Sequence, residues 1–248
     1  MGAVVFALAN QKGGVGKTTT AFNLGAVLAK RGKRVLLIDL DPQASLTVYV
    51  GLEPYEQTVS IVDVLRAKCM DIMDAVLNVR ENLDIVPSRI ELSAVENELL
   101  SRTARELVLS RSLVTARGRY DYIVIDCPPQ LSTLTLNALA CTDRVVVPCK
   151  TDYLAYRGLK QLMETVGTVR DFFRPELTVV GLLATMYETR AKDDNEILEL
   201  LREEYHVLGV IKRTTQAKKG IYDGLSSVEF APRSELAQEY ERIVDSLV

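Results

Sequence analysis

Lys12-Gly13-Gly14-Val15-Gly16-Lys17-Thr18-Thr19 places two ammonium groups and two hydroxyls around a turn containing three glycines. Glycines let such a turn aim its backbone N–H groups inward at an anion, and a following helix adds the positive end of its dipole. Lys17 then reaches the β- and γ-phosphates of a nucleotide, and the Thr18 hydroxyl ligates magnesium. Carboxylates that could complete this chemistry are Asp39 and Asp41, spaced i and i+2, and Asp126 at the end of an apolar run. For the first two, solvated turn aspartates are the plainer alternative, because Asp and Pro42 both favour turns.

Those side chains must be held by strands and helices in the right order. Ala3–Ala9 is a continuous apolar run of the kind buried on both faces of a parallel sheet. After the glycine turn, Ala21, Leu24, Val27 and Leu28 recur at helical spacing up to Lys30 and Arg31, and Gly32 supplies a stop. Further strands are predicted over 34–38, 82–87, 120–125, 144–148, 177–186 and 207–211. Helices are predicted over 60–69, 71–79, 88–117 in one or two pieces, 133–141, 153–173, 194–204 and 234–247. Asp39 and Asp41 leave the carboxyl end of the second strand, the edge where open parallel sheets bind ligands, and Pro42 lets both face it. Asp126 ends the 120–125 strand in the manner of a Walker B aspartate, which holds magnesium through a water.

The pattern implies an α/β fold with a doubly wound, mostly parallel sheet flanked by helices. One domain spanning 1–248 is expected, since strand-like and helix-like runs recur throughout. The hydrophobic fraction of 48% and charged fraction of 25% are those of an ordinary soluble globule. No opening stretch has a signal-peptide layout and no apolar run reaches membrane-span length, so a cytoplasmic location is expected. Cys69, Cys127, Cys141 and Cys149 form no C-x-x-C pair and read as buried free thiols, which argues against zinc or an iron–sulfur cluster. His206 has no cysteine or histidine nearby and reads as a surface or capping residue.

The usual G-x-x-x-x-G-K-[ST] loop is not met, because Gln11 stands at its first glycine. The form K-G-G-x-G-K-T-T resembles the deviant Walker A loop of the ParA/MinD family of ATPases. The likeness covers nearly the whole chain: DLDPQAS resembles the family's second acidic motif, and YDYIVIDCPPQLSTLTLNAL its Walker B region. VPCKTDYLAYRGLKQLM resembles the segment after it, and GLLATMYETR, with Met186, the stretch near the nucleotide base. The resemblance implies ATP and Mg2+ as cofactors, with ATP contacts from Lys12, Gly13, Gly14, Val15, Gly16, Lys17, Thr18, Thr19 and Met186. It implies a magnesium shell from Thr18, Asp39 and Asp126, and catalysis by Lys12, Lys17 and Asp41. Asp41 matches the carboxylate that positions the attacking water. Lys12 matches the signature lysine, which reaches the partner's nucleotide across a homodimer with ATP sandwiched between the subunits.

Within such a family the binding surface is DNA or membrane. A tail ending EYERIVDSLV is acidic and a poor interfacial anchor, whereas 212–219 carries Lys212, Arg213, Lys218 and Lys219 with no acid. By resemblance, Arg213, Lys218 and Lys219 would hold DNA non-specifically through its phosphates; a solvated loop is the alternative. The cluster Lys30, Arg31, Lys33 and Arg34 reads as a complement to a helix C-terminus. With a net charge of −3, nucleic-acid binding must come from a local patch. Ile211-Lys212-Arg213 replaces the family's I-P-R, and an N-terminal operator-reading domain is not expected. The resulting expectation is an ATP-dependent switch that partitions a plasmid, chromosome origin or protein assembly on the nucleoid, with a ParB-like or other adaptor stimulating hydrolysis. A MinD-like membrane ATPase and a metabolic P-loop enzyme for phosphoryl transfer or amide ligation are the alternatives.

Overall fold

The computed structural model describes residues 2–67 and 70–248, without the side chains of 216–218. Cys69, predicted as a buried thiol, and the Lys218 side chain, predicted as a DNA contact, therefore lie outside the described residues. The predicted strands form β1 (Val4–Leu8), β2 (Val35–Asp39), β4 (Leu83–Val86), β5 (Tyr122–Asp126), β6 (Arg144–Lys150), β7 (Thr178–Tyr187) and β8 (Val207–Lys212). The remaining strand, β3 (Leu77–Arg80), is antiparallel to β4 at one edge, and every other pairing is parallel. The sheet order is β3-β4-β2-β5-β1-β6-β7-β8.

β3 corrects the prediction of a helix over 71–79. Only Ile72–Ala75 is helical there, as a short 3-10 turn capped by the Asp71 side chain. The predicted 88–117 helix likewise breaks into Leu92–Leu99, Val108–Ser112 and Val114–Arg119 with irregular connections. Three short helices, Ser45–Tyr49, Gln216–Tyr222 and Ser227–Phe230, were not anticipated.

Alternation along the central strands feeds two cores. Val5, Ala7, Leu36 and Ile38 face one side, under the helices 61–66, 92–99, 133–140, 153–172 and 192–204. Phe6, Leu8, Val35 and Leu37 face the other, under Lys17–Lys30, 227–230 and Glu235–Leu247. Burial on both faces is why these strands read as unbroken apolar runs. The closing helix turns Leu236, Tyr240, Ile243, Val244 and Leu247 into the second core. Its acidic face meets the cluster 30–34, where Lys30 and Arg31 pair with Glu241 and Asp245.

Candidate nucleotide site

β1 lies in the middle of the sheet, and the chain leaves its carboxyl end into the glycine turn. Backbone pairing sets Leu8 beside Asp126 and Asp126 beside Asp39, so three adjacent strands end at one place. Gly14 and Gly16 have φ of 70° and 88°, which bend the turn onto the helix Lys17–Lys30. The turn is pinned from outside by Asn10, whose amide donates to the Pro148 carbonyl at 2.7 Å. Thr185 adds a hydroxyl bond to the Val15 carbonyl at 2.9 Å. Gln11, at the place of the missing glycine, donates to the Gly158 carbonyl at 2.9 Å and so ties the turn to the helix Tyr153–Phe172.

Lys17 is only 7% exposed. Burial lowers its pKa, and nearby Asp126, Cys127 and Asp41 oppose that effect. Its ammonium donates to the Lys12 carbonyl at 3.3 Å. Asp39 is fully buried and accepts from the Thr47 N–H and hydroxyl, each at 2.8 Å, and from the Asp41 N–H at 3.2 Å. Burial still pushes its carboxyl up to about 7. Asp126 is raised well above the carboxylate range, by burial first and by repulsion from Asp39 second. Both Asp126 oxygens are buried without a hydrogen-bond donor, although Thr18 lies close by. Two adjacent buried carboxylates, of which Asp126 has both oxygens without a donor, beside a threonine hydroxyl form a hard oxygen donor set, which fits a magnesium ion. Asp41 caps its own turn by accepting from the Gln43 N–H at 2.9 Å and lies near Lys17.

Lys12 is directed elsewhere. Its ammonium is held by both oxygens of Asp152, at 2.6 and 2.7 Å, at the N-cap of the 153–172 helix. A cavity of about 520 Å³ opens beside Gly16 and Thr19, lined by Thr185, Met186, Ile211, Lys212 and Tyr240 among others. Met186, at φ 54° and 37% exposed, turns the end of β7 toward it. Of the predicted DNA residues, Arg213 is exposed and pairs with Glu188 at 2.5 Å, and Lys219 is exposed. The residues that sequence missed are Thr47, Tyr49, Asn23 and Asp152. Tyr49 lies beside Thr19. Only Asp152 carried a local signal, as the acidic residue before a long helix.

A glycine turn after the central strand of a doubly wound sheet, with carboxylates on the neighbouring strand ends, defines a P-loop nucleotide-binding protein. The AAA domain family model matches residues 3–179. Soj, the sporulation initiation inhibitor protein of Bacillus subtilis, is 40% identical over 97% of this chain and 96% of its own. A Mycobacterium smegmatis structure described as cobyrinic acid a,c-diamide synthase with bound ADP and magnesium has a TM-score of 0.86 at 35% identity. It covers 99% of this chain and 94% of that one. A putative plasmid partition protein of Borrelia burgdorferi bound to AMPPNP has a TM-score of 0.83 at 29% identity, covering 99% and 98%. The chain belongs to the ParA/MinD family of P-loop ATPases.

Proposed function

We propose that this chain is an ATP-dependent dimerising switch that binds DNA without sequence preference and partitions or positions a cargo, with an adaptor stimulating hydrolysis. The glycine turn and Lys17 would hold the triphosphate of ATP, and Thr18, Asp39 and Asp126 would hold magnesium. When bound, the ion would supply positive charge to offset the charge of the phosphates. Asp41 accepts a hydrogen bond from the attacking water and aims it at the γ-phosphorus. The water oxygen bonds to phosphorus as the bond to the β-phosphate oxygen breaks, and the water's proton passes to the phosphate oxygens, giving ADP and inorganic phosphate. Lys12 brings positive charge to the partner subunit's phosphates as negative charge builds there.

The observation that carries this reading is the direction of Lys12. It belongs to the phosphate turn, yet its ammonium is bound at the rim by Asp152 and stays 32% exposed. A lysine placed so is available to a second copy in a way that Lys17 is not. Support for DNA over membrane comes from the closing helix, whose apolar face is spent on the core. No described helix is long and apolar enough to cross a membrane.

The test is DNA retention with ATP, ADP and no nucleotide, on wild type and Lys12→Ala. Wild type should be retained with ATP at least about tenfold better than with ADP, a typical coupling between sites, and Lys12→Ala should lose the difference. Equal retention of wild type in all three states overturns the switch. The description of the Mycobacterium smegmatis structure supports a second reading, ATP-driven amide formation on a carboxylate. ADP release that needs cobyrinic acid and glutamine or ammonia, and is undiminished in Lys12→Ala, would favour it.

A further inference from the structure

The stretch 212–230 is fastened to the nucleotide site at both ends. At its start, Lys212, Arg213 and Thr215 line the same cavity as Gly16 and Thr19, and the Arg213 N–H donates to the Tyr187 carbonyl at 3.0 Å. At its end, the Ser227 N–H donates to the Asn23 side chain at 2.9 Å, and Asn23 in turn donates to the Thr19 carbonyl at 2.8 Å. Asn23 is 2% exposed, so this relay runs inside the protein.

A second fastening reaches the loop of the carboxylates. The helix Ser45–Tyr49 follows Asp41 and grips Asp39 through Thr47, and Gly51 lies just past its C-cap Val50. Gly51 and Gly224, at φ 92° and 69°, lie backbone against backbone. A Cβ added at Gly224 would stand 3.0 Å from the Gly51 Cα. The Gly224 turn is held from its other side by Arg80 on the edge strand β3. Its guanidinium donates to the Gly224 carbonyl, pairs with Glu229 at 2.6 Å, and lies 5.3 Å over the Phe22 ring on the phosphate-loop helix. Glu229 itself closes a capping box with the Ser226 N–H and hydroxyl, at 2.8 and 2.6 Å.

We propose that Arg80 is a positioning residue that makes the Asp39–Gly51 loop, the phosphate-loop helix and the basic stretch 212–230 move as one body, so that nucleotide occupancy sets how Lys219 and its neighbours are presented to polyphosphate. This rests on the DNA reading above for its biological sense, but the mechanical coupling is independent of it. The edge strand has four residues, of which Leu77 and Val79 pack, partly buried, against the second core. Its placement of one arginine against three separate elements gives it a reason to exist.

The experiment uses the full chain as wild type, Arg80→Met and Arg80→Lys, each first shown to keep a cooperative thermal transition. Amide exchange over 219–230 is followed with and without a non-hydrolysable ATP analogue and magnesium. Nucleotide affinity and duplex DNA retention are measured alongside. The analogue should slow exchange over 219–230 in wild type. In Arg80→Met that response should vanish, analogue affinity should stay within about threefold, and the ATP-to-ADP ratio of DNA retention should fall by about tenfold. Arg80→Lys, which keeps a charge for Glu229, should recover part of both. A wild type whose 219–230 exchange ignores the analogue overturns the coupling, as does an Arg80→Met protein that responds like wild type. If exchange responds as expected while wild-type DNA retention is absent, the coupling stands and the DNA reading falls.

Discussion

At the scale of single residues, the site gathers carboxyls whose burial disfavours their charged form. Asp39 and Asp126 are register partners on neighbouring strands, both fully buried, and only Asp39 has hydrogen-bond donors of its own. A carboxyl whose folded pKa is raised binds more protons in the native state than in the unfolded chain, so stability falls as pH climbs between the two values. With Asp39 raised to about 7 from an ordinary value of about 4, that window runs from about pH 4 to 7. Without magnesium or nucleotide, Asp126→Asn should therefore raise the melting temperature at pH 8 and change it far less at pH 5. Each kcal/mol relieved is worth about 2–4 °C in a chain of this length. Magnesium should stabilise the wild type at pH 8 and leave the variant nearly unmoved. Thermal denaturation at the two pH values checks this, and an equal shift at both would remove electrostatic strain as the cause.

At the scale of elements, the 153–172 helix is attached to the phosphate turn by two adjacent residues, Gln11 through Gly158 and Lys12 through Asp152. Asp152 has a second duty, accepting from the Ala155 N–H at 2.8 Å as the helix N-cap, and Lys150 also pairs with it at 3.2 Å. Asp152→Asn keeps an acceptor for the cap and removes the charge that holds Lys12. A part-exposed ion pair is worth up to about 1 kcal/mol, so the ATP concentration at half-dimerisation should drop by about two- to fivefold, with little change in melting temperature. Light scattering across an ATP titration measures it; an unchanged midpoint would mean that Asp152 does not restrain Lys12. This contact was illegible in the sequence because its partners lie 140 positions apart. The sheet was legible for the opposite reason: strands buried on both faces write themselves as local apolar runs. The strand β3, Leu-Asn-Val-Arg, is half exposed, so nothing local distinguished it from a continuation of the turn before it. The loop lysines and the strand-end carboxylates were readable because phosphate chemistry constrains both their types and their spacing. Arg80 and Asn23 act through partners far along the chain, Gly224 and Glu229 for the first and Ser227 for the second, and left no such trace.

At the scale of the whole molecule, a chain of net charge −3 cannot attract a polyanion globally, so a DNA surface must be a local excess of cations. The structure narrows where that excess can be. The 30–34 cluster is offset by Glu241, Asp245 and Asp121, and Lys212 is paired with Glu235. Arg213 is 72% exposed at its side chain but carries Glu188 with it, so its field is partly cancelled until phosphate displaces the carboxylate. Two variants separate these contributions. Glu188→Gln frees Arg213 and should strengthen ATP-dependent DNA retention severalfold at low salt. Arg213→Glu should weaken retention on every sequence alike, compared at saturating ATP because Arg213 also lines the cavity beside Gly16 and Thr19. Each lost phosphate contact removes about 0.9 from the slope of log affinity against log salt. In a dimer that presents the residue twice, the slope should fall by about 2. A salt titration of DNA retention on the two variants measures this, and an unchanged slope in Arg213→Glu would take Arg213 out of the DNA surface. A slope change near 1 would instead mean that only one subunit of the pair faces the duplex.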